Sequence, residues 1–155
     1  MANILTYNNI ISVFKDIKSR HRQLNSFFTG ENFDVGANKD EFYPILIVTP
    51  KSSRLIKGYN GYNTMTMTID LRVGDLVNED LSNEDDVISD TLQICQDIVK
   101  EFDQKLYYLN SNMFLEEDVD FEVFKGFTDE NLTGWSTSLK LKTISLQGVC
   151  SLPFS

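Results

Sequence analysis

The side chains able to do chemistry are few: one histidine, two cysteines and several closely spaced carboxylates. His21 falls within a stripe of apolar residues, with no Ser or Cys nucleophile and no carboxylate pair near it in the chain. It reads as a packed or helix-edge histidine, not a proton shuttle. Cys95 and Cys150 form no CxxC and have no neighbouring histidine, so they read as reduced structural thiols. Asp118, Asp120 and Glu122 recur at period two and would project from one face of a strand, where three carboxylates could hold Mg²⁺ or Ca²⁺ and support a metal-dependent hydrolase. The Asp-rich calcium-loop spacing and its glycine are missing. A solvated or subunit-facing surface is therefore the preferred reading, with no metal and no cofactor expected. The chain has no phosphate-cradling glycine loop, nucleophile elbow or HExxH, so it is not expected to be an enzyme. Asn131-Leu-Thr133 matches a glycosylation acceptor but has no consequence without export.

Charge is the stronger signal. The 155 residues hold 14 Lys+Arg against 23 Asp+Glu, a net charge of −9, with a sequence pI near 4.5. Such a balance argues against a protein whose task is neutralising phosphates. The charges are also segregated. Bases gather at Lys15, Lys18, Arg20 and Arg22 and again at Lys51, Arg54 and Lys57, while acids gather at Asp75, Glu79 and Asp80 and at Glu116, Glu117, Asp118, Asp120 and Glu122. A chain polarised in this way can pack head-to-tail, its basic side against the acidic side of an identical neighbour. The first three acids belong to Asp75–Asp86, a run of six acids and no base, of which Glu84–Asp86 suit the first turn of a helix.

The elements that position these groups follow from periodicity. Tyr7, Ile10, Phe14, Ile17, His21, Leu24 and Phe28 recur at helical spacing, with Thr6 as cap and Gly30 as stop, and predict one helix over 6–28. Tyr43–Thr49 is a β-branched run closed by Pro50, and 62–73 alternates almost strictly, so the two form a hairpin with a basic tip at 51–61. A second helix starts at Asn83 and runs to Leu109. Val119, Phe121 and Val123 mark a third strand. Residues 135–146 mark a fourth, whose apolar parity moves from odd (Trp135, Leu139, Leu141) to even (Ile144, Leu146), as a β-bulge or a change of partner requires. The expected fold is α+β: an antiparallel sheet of about four or more strands with two long amphipathic helices on one face, in the order helix, hairpin, helix, two strands. A single domain spans 1–155, with an exposed loop at 29–42 and a C-terminal arm at 148–155. No apolar run approaches the roughly 20 residues that cross a bilayer, and the N-terminus lacks a signal pattern, so a soluble, unexported protein is expected.

Several segments carry a resemblance. The N-terminal amphipathic helix, Tyr43-Pro-Ile-Leu-Ile-Val-Thr-Pro50, Met67-Thr-Ile-Asp-Leu-Arg-Val-Gly-Asp-Leu-Val77, the Asn83–Leu92 helix start and Leu132-Thr-Gly-Trp-Ser136 together resemble small neck proteins of tailed bacteriophages. The chain is similar to the tail-terminator or tail-completion group, particularly of crAss-like phages. The resemblance implies a virion structural protein, assembled in the host cytoplasm, whose copies form a ring between portal or adaptor and tail: twelve-fold in a short-tailed phage, six-fold in a long-tailed one. DNA would pass through without sequence-specific binding and no membrane would be involved; because an acidic lining repels phosphate, Asp75–Asp86 or Glu116–Glu122 would suit a channel-facing position. The resemblance assigns no individual residues; on the charge segregation, Lys15, Lys18, Arg20, Arg22, Lys51, Arg54, Lys57, Asp75, Glu79 and Asp80 would serve contacts between subunits. The rival reading is a small acidic phage protein that binds and inhibits a host nucleic-acid enzyme, motivated by the net charge.

Overall fold

A computed structural model describes residues 6–30, 42–58, 63–109, 113–116, 118–126 and 132–145. Its elements are α1 (Tyr7–Arg20), β1 (Ser26–Thr29), β2 (Ile45–Lys57), β3 (Asn63–Leu76), α2 (Glu84–Tyr108), β4 (Met113–Leu115), β5 (Phe121–Phe124) and β6 (Leu132–Ser145). This corrects the expected order and the purely antiparallel sheet. The chain is α+β with two helices and a six-stranded mixed sheet ordered β1-β2-β3-β6-β4, with β5 also on β6, and β1 runs parallel to β2.

The first departure is at α1. Thr6 caps it, its hydroxyl accepting the Asn9 amide at 3.2 Å. The helix ends at Arg20, not at Phe28, because the chain becomes extended at His21, whose amide still bonds Ile17 and Lys18. Ser26–Thr29 then pairs with Ile45–Val48. Ile45-Leu-Ile-Val48 is apolar at every position and buried on both faces, so this half of β2 needs cover on both sides and a neighbour along each edge. Meeting that need outweighs the helical spacing of Leu24 and Phe28. Gly30, at φ +132°, ends β1 and donates its amide to Val48 at 3.2 Å, so it is not the stop of a helix.

A second departure concerns register. β3 and β6 pair without interruption from Asn63↔Ser145 to Leu76↔Leu132, so β6 has no bulge there; of the two expected alternatives it is the change of partner that occurs, from β5 at Gly134–Thr137 to β4 at Leu141–Thr143 on its other edge. The irregularity lies in β2, between Pro50 and Ser52, where a residue without an amide sits in a ladder. Beyond it β2 continues to Lys57, so most of the expected basic tip is strand. Residues 59–61 of that tip, 31–41 of the expected loop and the 148–155 arm lie outside the described residues.

Both helices lie on one face of the sheet. Ile10, Phe14 and Ile17 of α1 and Ile94, Cys95, Ile98 and Phe102 of α2 pack on Leu46, Val48, Ile69, Leu71, Leu139 and Leu141. Phe14 and Phe102 stack at 4.4 Å between ring centroids and 7° between planes, which joins the helices above the sheet. A smaller cluster of Ile45, Ile47 and Leu132, with Phe28, Leu76 and Phe124 against it, closes one end of the opposite face. There Gly74 and Gly134 are cross-strand partners, and a Cβ on Gly134 would run into the Val73 carbonyl oxygen. Gly134→Ala is expected to cost about 3 kcal/mol or more, because backbone must move and no side chain can yield instead. Urea unfolding of the variant beside the parent chain measures it.

Candidate functional site

The remainder of that opposite face is polar. β3 presents Asp70 and Arg72 to it and β6 presents Ser136, Ser138, Lys140 and Lys142, each paired in register with β3. Glu116, Asp118, Asp120 and Glu122 stand along the far margin, and together these groups line a trough of about 1000 Å³ that also takes in Lys51. The margin follows from β4 and β5, which pair successively with β6. Between Leu115↔Leu141 and Phe121↔Thr137, five residues oppose three, so the chain bows outward. The bow is pinned by the Glu116 amide donating to Lys140 O at 2.9 Å and the Thr137 hydroxyl donating to Asp120 O at 2.7 Å.

Asp70 is the trough's organised acid. It accepts the Ser138 hydroxyl at 2.7 Å and has Lys51 Nζ at 4.0 Å. The other acids do not converge as the alternation suggested: Asp118 and Asp120 precede β5, and Glu122 alone of the three is on a strand. Among the described residues no three His, Cys, Asp or Glu side chains group so as to hold a metal ion. Glu117 lies outside the described residues. The four described acids of this segment share their trough with Lys140 and Lys142, so they do not form an unbroken negative surface.

The basic cluster of α1 divides. Arg20 donates to Asp16 and Glu101, both at 3.0 Å, and Lys105 lies 3.7 Å from Asp16, which ties α1 to α2. The Glu101 and Asp16 carboxylates raise the Arg20 guanidinium above its ordinary range, so it stays charged. His21 meets Asp97 at 3.3 Å on the same helix pair. Lys15 and Arg22 are exposed and Lys18 half-buried.

The acidic run 75–86 is largely taken up by local structure. Asn83 Oδ1 accepts the Asn78 amide at 2.7 Å, Asp80 accepts the Ser82 amide at 3.1 Å, and Leu81 adopts φ +60°, so 78–83 folds as a turn that launches α2. Glu84 receives Lys125 at 2.7 Å. Asp75 is half-buried, and burial raises its carboxyl above the ordinary 3.8; the Leu76 amide opposes this and Asp90 adds to it.

What the charge pattern did not reveal is a set of exposed apolar residues at one end of the sheet: Leu55, Ile56 and Met65 on one side and Tyr107, Tyr108 and Phe114 on the other. Consecutive Leu55-Ile56 in a strand, which places apolar groups on both faces, and Tyr107-Tyr108 beyond the apolar stripe of α2 were the signals for them. No helix among the described residues is long and apolar enough to cross a membrane. In comparisons with known proteins, no family model and no curated protein matches the chain.

Because the fold favours protonated Asp75, its stabilising share is complete below the ordinary 3.8 and is lost as pH rises through the folded value. Asp75→Asn, which keeps an acceptor for the Leu76 amide, should melt above the parent at pH 7, and the gap should close on acidification below that ordinary value. Burial also pushes the Cys95 thiol up to about 12. In a Cys150→Ser background, a disulfide reagent at pH 8 should leave the native chain unmodified and label it stoichiometrically in denaturant.

Proposed function

We propose that this protein is a structural subunit that closes head-to-tail into a homomeric ring in the neck of a tailed phage, between portal or adaptor and tail. The observation that carries the reading is the placement of charge across the sheet. Lys51, Arg54 and Lys57 lie on β2, beyond the stretch covered by β1, while Glu116, Asp118, Asp120 and Glu122 lie along the opposite lateral edge, beside β4 and β5. Each edge occurs once per chain. A contact that uses both leaves one of each free on the growing assembly, and such heterologous contacts close when the rotation permits. The resemblance to tail-terminator and tail-completion proteins supplies the place of the ring, in the virion and in the host cytoplasm during assembly.

Within this reading the acids at 116–122 serve the contact between subunits better than a channel wall, because Lys140 and Lys142 share their trough. Lys15, Arg22, Glu79 and Asp80, all exposed, are left for adjoining rings. The same mixture of signs gives less support to a phosphate-mimicking inhibitor, which needs a continuous negative face.

The test is native mass by light scattering after size-exclusion chromatography, on concentrated protein alone and with the adjacent neck proteins. The expected result is a closed ring whose mass is an integral multiple of 17.8 kDa. A persistent monomer in both conditions overturns the reading.

A further inference from the structure

The two lateral edges differ in more than charge. In the row Leu55↔Met65↔Thr143↔Met113, which crosses four strands, the ends behave differently. Thr143 and Met113 are buried, whereas Leu55 is 55% and Met65 43% exposed. Ile56, on the other face of the same edge strand, is 42% exposed. An edge that needs only to stay solitary is blunted by charge, proline or a bulge, and β2 has all three in Pro50, its irregularity and its bases. Those devices do not account for neighbouring Leu and Ile on both faces of that edge.

At the same end of the sheet, on its opposite edge, α2 finishes over β4. Tyr107 is 82% and Tyr108 71% exposed, their rings edge-to-face at 5.8 Å, and with Met113 and Phe114 they line a groove of about 1070 Å³. Asp103 and Lys100 both lie in that groove, and Glu116 and Asp118 lie next along the chain. One edge is thus apolar ringed by bases, the other aromatic with Asp103, Glu116 and Asp118 beside it and Lys100 and Lys142 among them. Large exposed apolar groups of this kind, rimmed by charge, mark protein contacts.

We propose that the occupant of the Tyr107–Phe114 groove is the Leu55-Ile56 edge, with Met65 beside it, of a second copy of this chain. The proposal rests on the ring reading and names the surfaces that make the ring. Its geometry is consistent with copies in one orientation. Both patches lie at the same height on opposite edges, so each subunit offers one to each side, and β2 runs antiparallel to a neighbour's β4. Contact is through side chains. A shared backbone ladder at equal height is blocked, because β1 (against Ile45–Val48) and β5 (against Gly134–Thr137) occupy matching rows and would collide. Lys51, Arg54 and Lys57 then approach Asp103, Glu116 and Asp118 at the rim, where charge sets partner choice and register.

The test uses the full chain and two exposed substitutions, Leu55→Glu and Tyr108→Glu, each checked by circular dichroism and melting temperature to show that the fold is kept. Each variant alone should lose the ring, with self-association weakened at least about tenfold. Mixed in equal amounts, they should form a heterodimer and nothing larger, because the mixture retains one intact pairing: the groove of the first with the edge of the second. Wild-type rings that survive both substitutions overturn this contact and leave the ring reading standing. Rings lost in each variant with no heterodimer in the mixture also overturn it, since a head-to-tail contact must complement. A wild-type chain that is monomeric at every concentration overturns the ring reading, and this contact with it.

Discussion

A Cβ at Gly134 would collide with the carbonyl of Val73, so β3 and β6 lie together only because that position has none. The ladder they form, from Asn63↔Ser145 to Leu76↔Leu132, is the constraint the other elements answer to. One face of these two strands is the floor on which α1 and α2 rest. Their outer edges receive β2 on one side and β4 and β5 on the other. The ring of Phe124 lies against Gly74, near enough that a Cβ there would meet it at 3.2 Å, so an aromatic group takes the volume the glycine leaves. Helix docking, hairpin register and the bowed margin at 116–120 all take their positions from this one pairing.

Those edges end differently because the chain covers them unevenly. β1 satisfies β2 only as far as Val48, and past Pro50 the strand goes on with a neighbour on one side. β4 and β5 together cover β6 but bow between Leu115 and Phe121. Segregated charge in the sequence is thus carried into space, with Lys51, Arg54 and Lys57 at one lateral edge and Glu116, Asp118, Asp120 and Glu122 along the other, where Lys140 and Lys142 share their trough. The exception is instructive. The bases of α1 look like one cluster in the sequence, yet Arg20 is engaged with Asp16 and Glu101 inside the chain, where it joins two helices.

Much of this was legible from spacing. The alternation at 62–73 and the apolar stripe after Asn83 correspond to β3 and α2 because each pattern is enforced by a single apolar face. What was not legible depends on partners distant in sequence. Leu24 and Phe28 continue a helical spacing, yet the edge of Ile45–Val48 draws Ser26–Thr29 into a strand, and an isolated reading of 6–28 cannot see that edge. The fully apolar run at 45–48 was the available sign that β2 is enclosed on both sides. Likewise the parity change in β6 pointed to a bulge or a change of partner; β6 has no bulge against β3, but on its other edge it passes from β5 to β4, a change that only strands distant in sequence could reveal. At the candidate site, residue types and clusters were readable, but the pairings were not: Asp70 with Ser138, or the acids with Lys140 and Lys142, exist only across strands.

The chain's single tryptophan stands at the junction of these layers. Trp135, on β6, donates its indole N–H to the carbonyl of Ile88 at 2.8 Å, in the early turns of α2. That bond ties the helix to the sheet one turn beyond the acidic segment that launches it. The molecule therefore carries its own optical reporter. Unseating the start of α2 breaks this bond and opens the indole to water, so Trp135 emission is expected to follow the docking of that helix without an added label.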